Sequence, residues 1–92
     1  MIVSFKHKGL ENFYNTGTKR GIQANHENRL RMQLAALDSA QNIKDCDLPG
    51  YNLHQLKGNK STIWSVSVNG NWRLTFEFIE NNIYILNYED YH

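Results

Sequence analysis

Three short clusters of polar side chains are the part of this sequence best suited to chemistry. They are Leu53-His-Gln-Leu-Lys-Gly58, Asn71-Trp-Arg73 and the terminal Asn87-Tyr-Glu-Asp-Tyr-His92. Their histidine, lysine, arginine, aspartate and tyrosine side chains are the types that cleavage of RNA without a metal requires. The clusters therefore indicate an acid–base site, and neither a metal ion nor a cofactor is expected in it.

Each side-chain type has a definable task in such a reaction. A base removes the proton of a ribose 2′-hydroxyl, a group that only RNA offers, and an acid protonates the departing 5′-oxygen. Histidine suits either task because its ordinary pKa is about 6.5. Arg73 can hold two phosphate oxygens at once, whereas Lys57 acts as a point charge. Tyr91 could stack on a base or donate a proton.

The same side chains also have ordinary structural interpretations, which composition and spacing leave open. Arginine and lysine on strands and turns are commonly solvated charges, and a single histidine is commonly half-buried and hydrogen-bonded. Tyr91 and His92 end the chain, where residues are usually frayed. His54, Asp90 and His92 could instead bind a metal ion, although the sequence lacks the short ligand spacings of HxH or HExxH sites.

The overall composition fits a small globular protein. The chain has 92 residues, of which 40% are hydrophobic, and ten Lys and Arg against nine Asp and Glu give a net charge of +1. A net charge this small does not by itself indicate a nucleic-acid-binding protein. Binding of nucleic acid would depend on where the cations are placed. The first six residues lack a signal-peptide pattern, and no segment is apolar for long enough to span a bilayer. We therefore expect one cytoplasmic domain, residues 1–92, with no membrane partner.

The single cysteine is not a promising nucleophile. Cys46 lies between Asp45 and Asp47, and their negative charges disfavour a thiolate. One cysteine excludes an internal disulfide and a cysteine metal cage, and it suits a reducing compartment. The sequence predicts a structural or incidental role for this thiol.

Two helices are predicted in the first half of the chain, after a short opening strand at Ile2-Val-Ser-Phe5. The first helix ends at Gly17, which can take the left-handed conformation, and its apolar positions recur at helical spacing, Leu10, Phe13 and Tyr14. The second helix runs from near Asn25, its predicted N-cap, to about Ala40. Its apolar stripe is formed by Leu30, Leu34 and Leu37. The residues predicted to lie off this stripe are Arg29, Arg31 and Gln33.

The second half of the chain shows the alternation of β-strands. Strands are predicted at 51–56, 62–68, 72–78 and 83–88, and Asn69-Gly70 is a strong signal for a hairpin. Arg73 alternates with Trp72 and Leu74, which places it on the polar side of its strand. His54 shares that side if Leu53 points into the core. The last strand is apolar on both faces in places, so its inward face is not determined.

Helices followed by antiparallel strands predict an α+β fold, in which two N-terminal helices cover one face of a twisted sheet. The other face would carry the polar side chains of the middle strands, namely Ser65, Ser67, Arg73 and Thr75. This polar face is where we expect the function to lie.

The sequence resembles a known family, the HigB branch of the RelE-like toxins, also called plasmid maintenance killer proteins. The segments that carry the resemblance are Ser4-Phe-Lys-His-Lys-Gly-Leu10, Leu53-His-Gln-Leu-Lys-Gly58, Trp64-Ser-Val-Ser-Val68, Asn71-Trp-Arg73 and Ile85-Leu-Asn-Tyr-Glu-Asp-Tyr-His92. They cover essentially the whole chain. Asn-Trp-Arg combined with a terminal Asp-Tyr-His is a fairly specific pattern, whereas each piece alone would be weak.

The resemblance implies a fold, an activity and partners. The fold would be that of the RelE-like microbial ribonucleases, and the activity would be endonucleolytic cleavage of messenger RNA in the decoding site of the 70S ribosome, which stops translation. The partner would be a HigA-like antitoxin with a helix-turn-helix, encoded beside the toxin. Operator DNA would be bound only through the complex of toxin and antitoxin, which represses the shared operon.

The resemblance also implies roles for individual residues. The catalytic side chains or their close supports would be His54, Asp90, Tyr91 and His92. Lys57 and Arg73 would hold phosphate during catalysis, and Asn71 would help to position the RNA. Docking on the ribosome could depend on further cations, Lys6, Lys8, Lys19 and Arg20, or Arg29 and Arg31.

Two other functions stay open from the sequence. The chain could keep the fold and the antitoxin partner without cutting RNA, and so serve mainly in repression of its operon. It could also act on free RNA or on another phosphodiester.

Overall fold

The computed structural model describes residues 1–60 and 62–91, and it shows two α-helices followed by a four-stranded antiparallel sheet. The helices are α1 (Lys8–Thr16) and α2 (Glu27–Ser39). The strands are β1 (His54–Gln55), β2 (Ile63–Asn69), β3 (Trp72–Ile79) and β4 (Asn82–Asp90), paired in chain order. The predicted α+β class is confirmed. Within the described ranges, no helix has the length and apolar character needed to cross a membrane.

The two ends of α1 have local chemical causes. Nδ1 of His7 accepts a hydrogen bond of 2.9 Å from the backbone N–H of Leu10, which satisfies one of the unpaired donors of the first turn. Gly17 takes a left-handed φ of 81°, and its N–H donates to the carbonyl of Phe13. The predicted stop at Gly17 is therefore confirmed. Leu10 and Phe13 are buried, as the helical spacing predicted.

The helix α2 lies close to its predicted bounds, but its N-cap is not the predicted Asn25. Residues 24–26 form a 3₁₀ turn, and His26 takes the N-cap position of the helix. The ring of His26 is only 3% exposed, and its Nδ1 lies 2.6 Å from the hydroxyl of Tyr88. A contact with a strand 62 residues away in sequence thus fixes this boundary, which local capping preferences could not reveal.

The buried face of α2 contains one residue that the sequence placed elsewhere. The three leucines of the predicted stripe are buried, but so is Gln33, which was predicted to lie off it. Its Nε2 donates a 2.7 Å hydrogen bond to the carbonyl of Ser67 on β2. Because a buried amide without a partner is costly, this bond is what makes the position tolerable for glutamine. The helix is joined to the sheet by a polar contact as well as by its leucines.

The alternation predicted for the middle strands is confirmed. The inward side chains are buried in one core with those of the helices, among them Val66, Val68, Leu74 and Phe76. Asn69 and Gly70 connect β2 to β3 as predicted, and Gly70 has a positive φ of 57°. The first strand is much shorter than the predicted 51–56. Only His54 and Gln55 form a regular strand with β2, although Tyr51 and Leu56 each share one backbone hydrogen bond with it.

A bulge in β4 explains why its inward face could not be read from alternation. Ile85 has a φ of 50°, which is rare for a β-branched residue, and the register with β3 shifts at this point. Ile83 and Leu86 are both completely buried, although a regular strand would place them on opposite faces. Beyond the bulge, Asn87 and the odd-numbered residues that follow it face the polar side.

The N-terminal segment lies along the outer edge of β4, where it makes two isolated parallel bridges instead of the predicted strand. The bridges join residues 2 and 5 to residues 83 and 86. Between them, the N–H of Ile85 donates to Oγ of Ser4 at 2.8 Å, and the N–H of Leu86 donates to the Ser4 carbonyl at 3.0 Å. The segment therefore holds the bulge in place.

An aromatic cluster joins both helices to β3 and β4. The ring of Trp72 stacks on that of Tyr88 at 4.6 Å between centroids, and His7 and His26 meet Tyr88 edge-on at 5.3 Å and 6.0 Å. The Tyr88 hydroxyl also accepts a hydrogen bond from the N–H of Gln23. Burial lowers the pKa of both His7 and His26 below the ordinary value of 6.5. Both imidazoles are therefore neutral in the folded protein near neutral pH.

We predict that the protein loses stability in mild acid because of these two histidines. If the pKa of a histidine is lower in the folded state, the unfolded state binds the proton at a higher pH than the folded state does. Stability is therefore complete above the unfolded pKa, falls as the pH drops below about 6.5, and is fully lost from these groups below their folded pKa. The melting temperature measured between about pH 7.5 and about pH 5.5 should show this decline.

The variant His7→Asn provides the control for that prediction. Asparagine is among the best N-cap residues, so it can accept the Leu10 N–H without titrating. The variant keeps the cap but loses the ring contact with Tyr88, so it should start somewhat less stable at neutral pH and lose less further stability in acid than the wild type. Identical pH profiles for variant and wild type would contradict the role of His7.

Candidate functional site

The face of the sheet turned away from the buried core carries two rows of polar side chains, and we call it the polar face. The cross-strand register aligns one row as His54, Ser65, Thr75 and Asn87, and a second as Ser67, Arg73 and Glu89. Directly opposed residues on antiparallel strands project to the same side of a sheet. The prediction that His54 and Arg73 share a face is confirmed. Ser65 and Thr75, the middle two members of the first row, are buried.

His54 has a defined orientation although its side chain is exposed. Its Nδ1 lies 2.9 Å from the carbonyl oxygen of Asn52, a residue in the left-handed region with φ of 52°. A carbonyl oxygen can only accept a hydrogen bond, so the proton of the neutral ring belongs on Nδ1. The lone pair is then on Nε2. This is the arrangement that a general base requires, since the second nitrogen is free to meet a substrate proton.

Arg73 is held between a carboxylate and an aromatic ring. One terminal nitrogen lies 3.6 Å from a carboxylate oxygen of Glu89, its neighbour on β4, and Cζ lies 4.4 Å from the centre of the Tyr91 ring. The Arg73 side chain is 16% exposed. Contacts on both sides restrict the guanidinium to one region of the polar face. A positioned arginine of this kind can bind phosphate with little further loss of side-chain entropy.

The C-terminal residues continue the pairing of β4 beyond its end. The N–H of Tyr91 donates to the carbonyl of Asn71 at 3.1 Å, which fixes the backbone of both residues at the hairpin end of the sheet. The Tyr91 ring is 51% exposed while one side of it covers Arg73. Tyr91 therefore has a fixed backbone and an accessible ring, although residues near the end of a chain are usually frayed. His92 lies outside the described residues.

The acidic residue that faces Arg73 is not the one that the sequence indicated. Asp90 is the register partner of Trp72, so its backbone position belongs to the opposite side of β4. The register therefore does not place Asp90 directly across from Arg73, and the role of its side chain stays a prediction. Glu89, which was not among the predicted site residues, occupies that place. If Tyr91 lies on the polar face, the alternation of a strand predicts that Glu89 lies there too.

Lys57 follows β1, and its side chain is exposed. Within residues 1–60 and 62–91, no ion pair joins Lys57 to a carboxylate. Its placement beside the polar face follows from the adjacent strand and not from a bond of its own. An exposed lysine of this kind is available for an anionic ligand.

A cavity of about 140 Å³ opens beside the polar face at the bulge of β4. Its lining combines polar and apolar side chains, Lys6, Leu56, Ile63, Thr75, Phe76, Ile85, Asn87 and Glu89. It therefore borders the Arg73–Glu89 pair. A larger cavity of about 320 Å³ lies between the helices, and its lining residues are Phe13, Tyr14, Gly17, Arg31, Leu34 and Ala35. We place the functional site at the smaller cavity, because the groups able to transfer protons or bind phosphate lie on that side.

Cys46 is remote from this chemistry. It is completely buried, and burial together with the charge of Asp45 raises the pKa of its thiol to about 11. A thiol with that pKa carries almost no thiolate at neutral pH. Its burial in the core is consistent with the predicted structural or incidental role.

Comparison with known proteins gives consistent matches over the whole length of the chain. Residues 3–92 match the family described as the RelE-like toxin of type II toxin–antitoxin system HigB. The chain is 47% identical to Endoribonuclease HigB of Proteus vulgaris over 92 residues, which cover all of both proteins. It is 37% identical over 82 residues to Toxin HigB-1 of Vibrio cholerae serotype O1, covering 87% of this chain and 86% of that protein.

Proposed function

We propose that this chain, which belongs to the RelE-like HigB toxins of type II toxin–antitoxin systems, is an endoribonuclease that cuts messenger RNA on the ribosome. The family and the name of the Proteus vulgaris relative support the toxin and endoribonuclease parts of this statement. The observation that carries the mechanism is the shared polar face, on which His54 offers a free Nε2 and Arg73 is fixed by Glu89 and Tyr91.

The proposed reaction is a displacement at phosphorus within one RNA strand. The 2′-oxygen bonds to phosphorus while its proton passes to a base, and the bond to the 5′-oxygen breaks as that oxygen receives a proton from an acid. The products are a 2′,3′-cyclic phosphate and a 5′-hydroxyl end. Negative charge grows on the phosphate oxygens in the transition state, which is where a fixed cation is most effective.

The side chains of this chain can be assigned to these tasks. The Nε2 of His54 is oriented to exchange a proton with the substrate, and the guanidinium of Arg73 stabilises the charge on phosphorus oxygens. Lys57 adds a second cation, and the exposed Tyr91 ring offers a surface for a base. Asp90 and His92 complete the set as supports or proton-transfer groups, and Asn71 positions the RNA. No metal ion is needed for these steps.

The partners follow from the family. HigB toxins pair with an antitoxin in a type II system. We further propose that this antitoxin carries a helix-turn-helix, that the two proteins together repress their operon at operator DNA, and that the decoding site of the 70S ribosome presents the messenger RNA. The polar face has the size for a single RNA strand, because four adjacent strands span only about 15 Å in the hydrogen-bonding direction.

We predict that induced expression of this chain without its antitoxin arrests growth and produces new messenger RNA ends inside translated codons. The expected result follows from the set of proton-transfer and phosphate-binding groups on the polar face. Mapping of messenger RNA ends after induction measures it. The control is Lys44→Ala, which removes an exposed cation from the 3₁₀ turn at residues 43–46 and should leave cleavage unchanged.

Two outcomes of that experiment would contradict parts of the proposal. Ends that map equally to untranslated RNA would exclude dependence on the ribosome and favour action on free RNA. Growth arrest or operon repression without any new ends would favour a binding module that does not cut. In a purified assay with magnesium controlled for the ribosome, cleavage that disappears with a chelator would favour a metal mechanism.

A further inference from the structure

The cavity beside the polar face extends past β4 to the N-terminal segment. Lys6 lies on this segment and contributes to the cavity lining together with Asn87 and Glu89. Glu89 is paired with Arg73 on β3, so the cavity extends from the carboxylate that contacts this arginine to a lysine at the outer edge of β4. A single RNA strand that crosses the sheet at Arg73 would continue towards Lys6.

The backbone of Lys6 is fixed by the edge of β4. Its N–H donates to the carbonyl of Leu86 at 2.9 Å, next to the parallel bridge between Phe5 and Leu86. The neighbouring bulge residue Ile85 has a left-handed φ that costs energy for a β-branched side chain, and Ser4 holds it there through its N–H. The bond from Lys6 to Leu86, beside this bulge, places the backbone of Lys6 at the rim of the cavity, and its side chain starts there.

The charge of Lys6 is also uncompensated, unlike that of its neighbours in sequence. Lys8 is 3.6 Å from Glu11, and Lys19 is 3.4 Å from Glu27. Among the residues that the structure describes, Lys6 has no carboxylate within ion-pair distance, and Glu89 in the same cavity is directed to Arg73. An exposed, unpaired ammonium at the rim of a site is suited to a mobile anion such as an RNA phosphate.

We propose that Lys6 binds a backbone phosphate of the RNA, one that flanks the phosphate held at Arg73. This inference rests on the proposed function and adds a binding residue at the edge of β4. A phosphate contact of this kind positions the strand without reading its sequence. Lys6 therefore contributes to RNA affinity equally for different sequences, and it takes no part in proton transfer.

The test compares Lys6→Gln with Lys8→Gln. The second variant also removes one positive charge, but from a lysine that is already paired with Glu11. The probe is a fluorescent oligoribonucleotide with 2′-O-methyl groups throughout, which cannot be cut because it lacks the attacking hydroxyl. Binding is measured by anisotropy at several salt concentrations. Each phosphate contact on a single strand contributes about 0.7 to the slope of log K against log salt. We expect Lys6→Gln to weaken binding at low salt and to reduce the slope by about this amount.

The controls separate failure of this inference from failure of the proposed function. Lys8→Gln should bind as the wild type does, and circular dichroism should show both variants folded, because the Lys6 side chain makes no bond that the fold uses within the described residues. An unchanged slope for Lys6→Gln, with a reduced slope for Arg73→Ala, would overturn the role of Lys6 alone. Absence of binding by the wild type at low salt would contradict the RNA site as a whole.

Discussion

Replacing Arg73 with alanine should lower cleavage of messenger RNA about a hundredfold, which is the usual effect of removing one contact to transition-state charge. The expectation rests on the position of the guanidinium on the polar face, between Glu89 and Tyr91. The effect should fall on the maximal rate of single-turnover cleavage, because the charge on the phosphate oxygens grows only as the reaction proceeds. Toxicity on induction should disappear with it.

The variant Arg73→Lys distinguishes charge from geometry. Lysine keeps the positive charge but loses the planar fork that can hold two phosphate oxygens, so it should recover only part of the rate. The control Lys44→Ala should cleave as the wild type does, since Lys44 is an exposed residue of the 3₁₀ turn at residues 43–46. If Arg73→Ala melts several degrees lower and cuts normally, Arg73 is a structural residue that supports Glu89 and Tyr91.

Deletion of Tyr91 and His92 should abolish toxicity while binding of the antitoxin and thermal stability change little. The fold has little to lose, because the described attachment of Tyr91 is one backbone hydrogen bond to Asn71 and one ring contact with Arg73. The site loses more, because the exposed ring over Arg73 and the terminal histidine both disappear. A bulky C-terminal tag should weaken cleavage for the same reason.

Growth arrest and cleavage by the truncated protein measure this effect, and circular dichroism checks that it is folded. Single variants then separate the two possible roles of Tyr91. Tyr91→Phe keeps the ring and removes only the hydroxyl, whereas Tyr91→Ala removes the ring as well. Normal cleavage by Tyr91→Phe with loss in Tyr91→Ala would assign stacking, not proton donation, to Tyr91. A folded truncation that still kills would remove the tail from the active site and leave His54 as the proton-transfer histidine.

The elements that sequence predicted well are those in which a local pattern and the global fold agree. The leucine spacing of α2 and the alternation of β3 each bury one continuous face, so period alone identified them. Gly17 ended α1 because its left-handed φ is a local preference of glycine. In these places the chain needs no distant partner to select its conformation.

The departures all depend on contacts between distant parts of the chain. Gln33 is buried because the carbonyl of Ser67 accepts its amide, and His26 replaces Asn25 as N-cap because Tyr88 binds its ring. The bulge at Ile85 depends on Ser4 and could not be read from β4 alone. Each partner lies more than thirty residues away in sequence.

The candidate site divides in the same manner. Alternation was sufficient to put His54 and Arg73 on one face, since both strands are regular there. It was not sufficient for the last strand, because the bulge changes which residues face outward. Glu89 instead of Asp90 is opposite Arg73 for this reason. Motif resemblance had drawn attention to Asp90, and it carried no information about the phase of β4.

The N-terminal segment also determines how the outer edge of the sheet meets other molecules. β4 is nine residues long, and residues 83 and 86 on its outer edge are paired with residues 1–6. An open edge strand of that length is a template for pairing with another chain. The segment therefore covers this edge and hinders edge-to-edge aggregation. The bond from Ile85 to Ser4 joins residues 81 apart, and contacts so distant in sequence carry a large cost of loop closure. We therefore expect the segment to pair with β4 late in folding, so that this edge is open to intermolecular pairing until then.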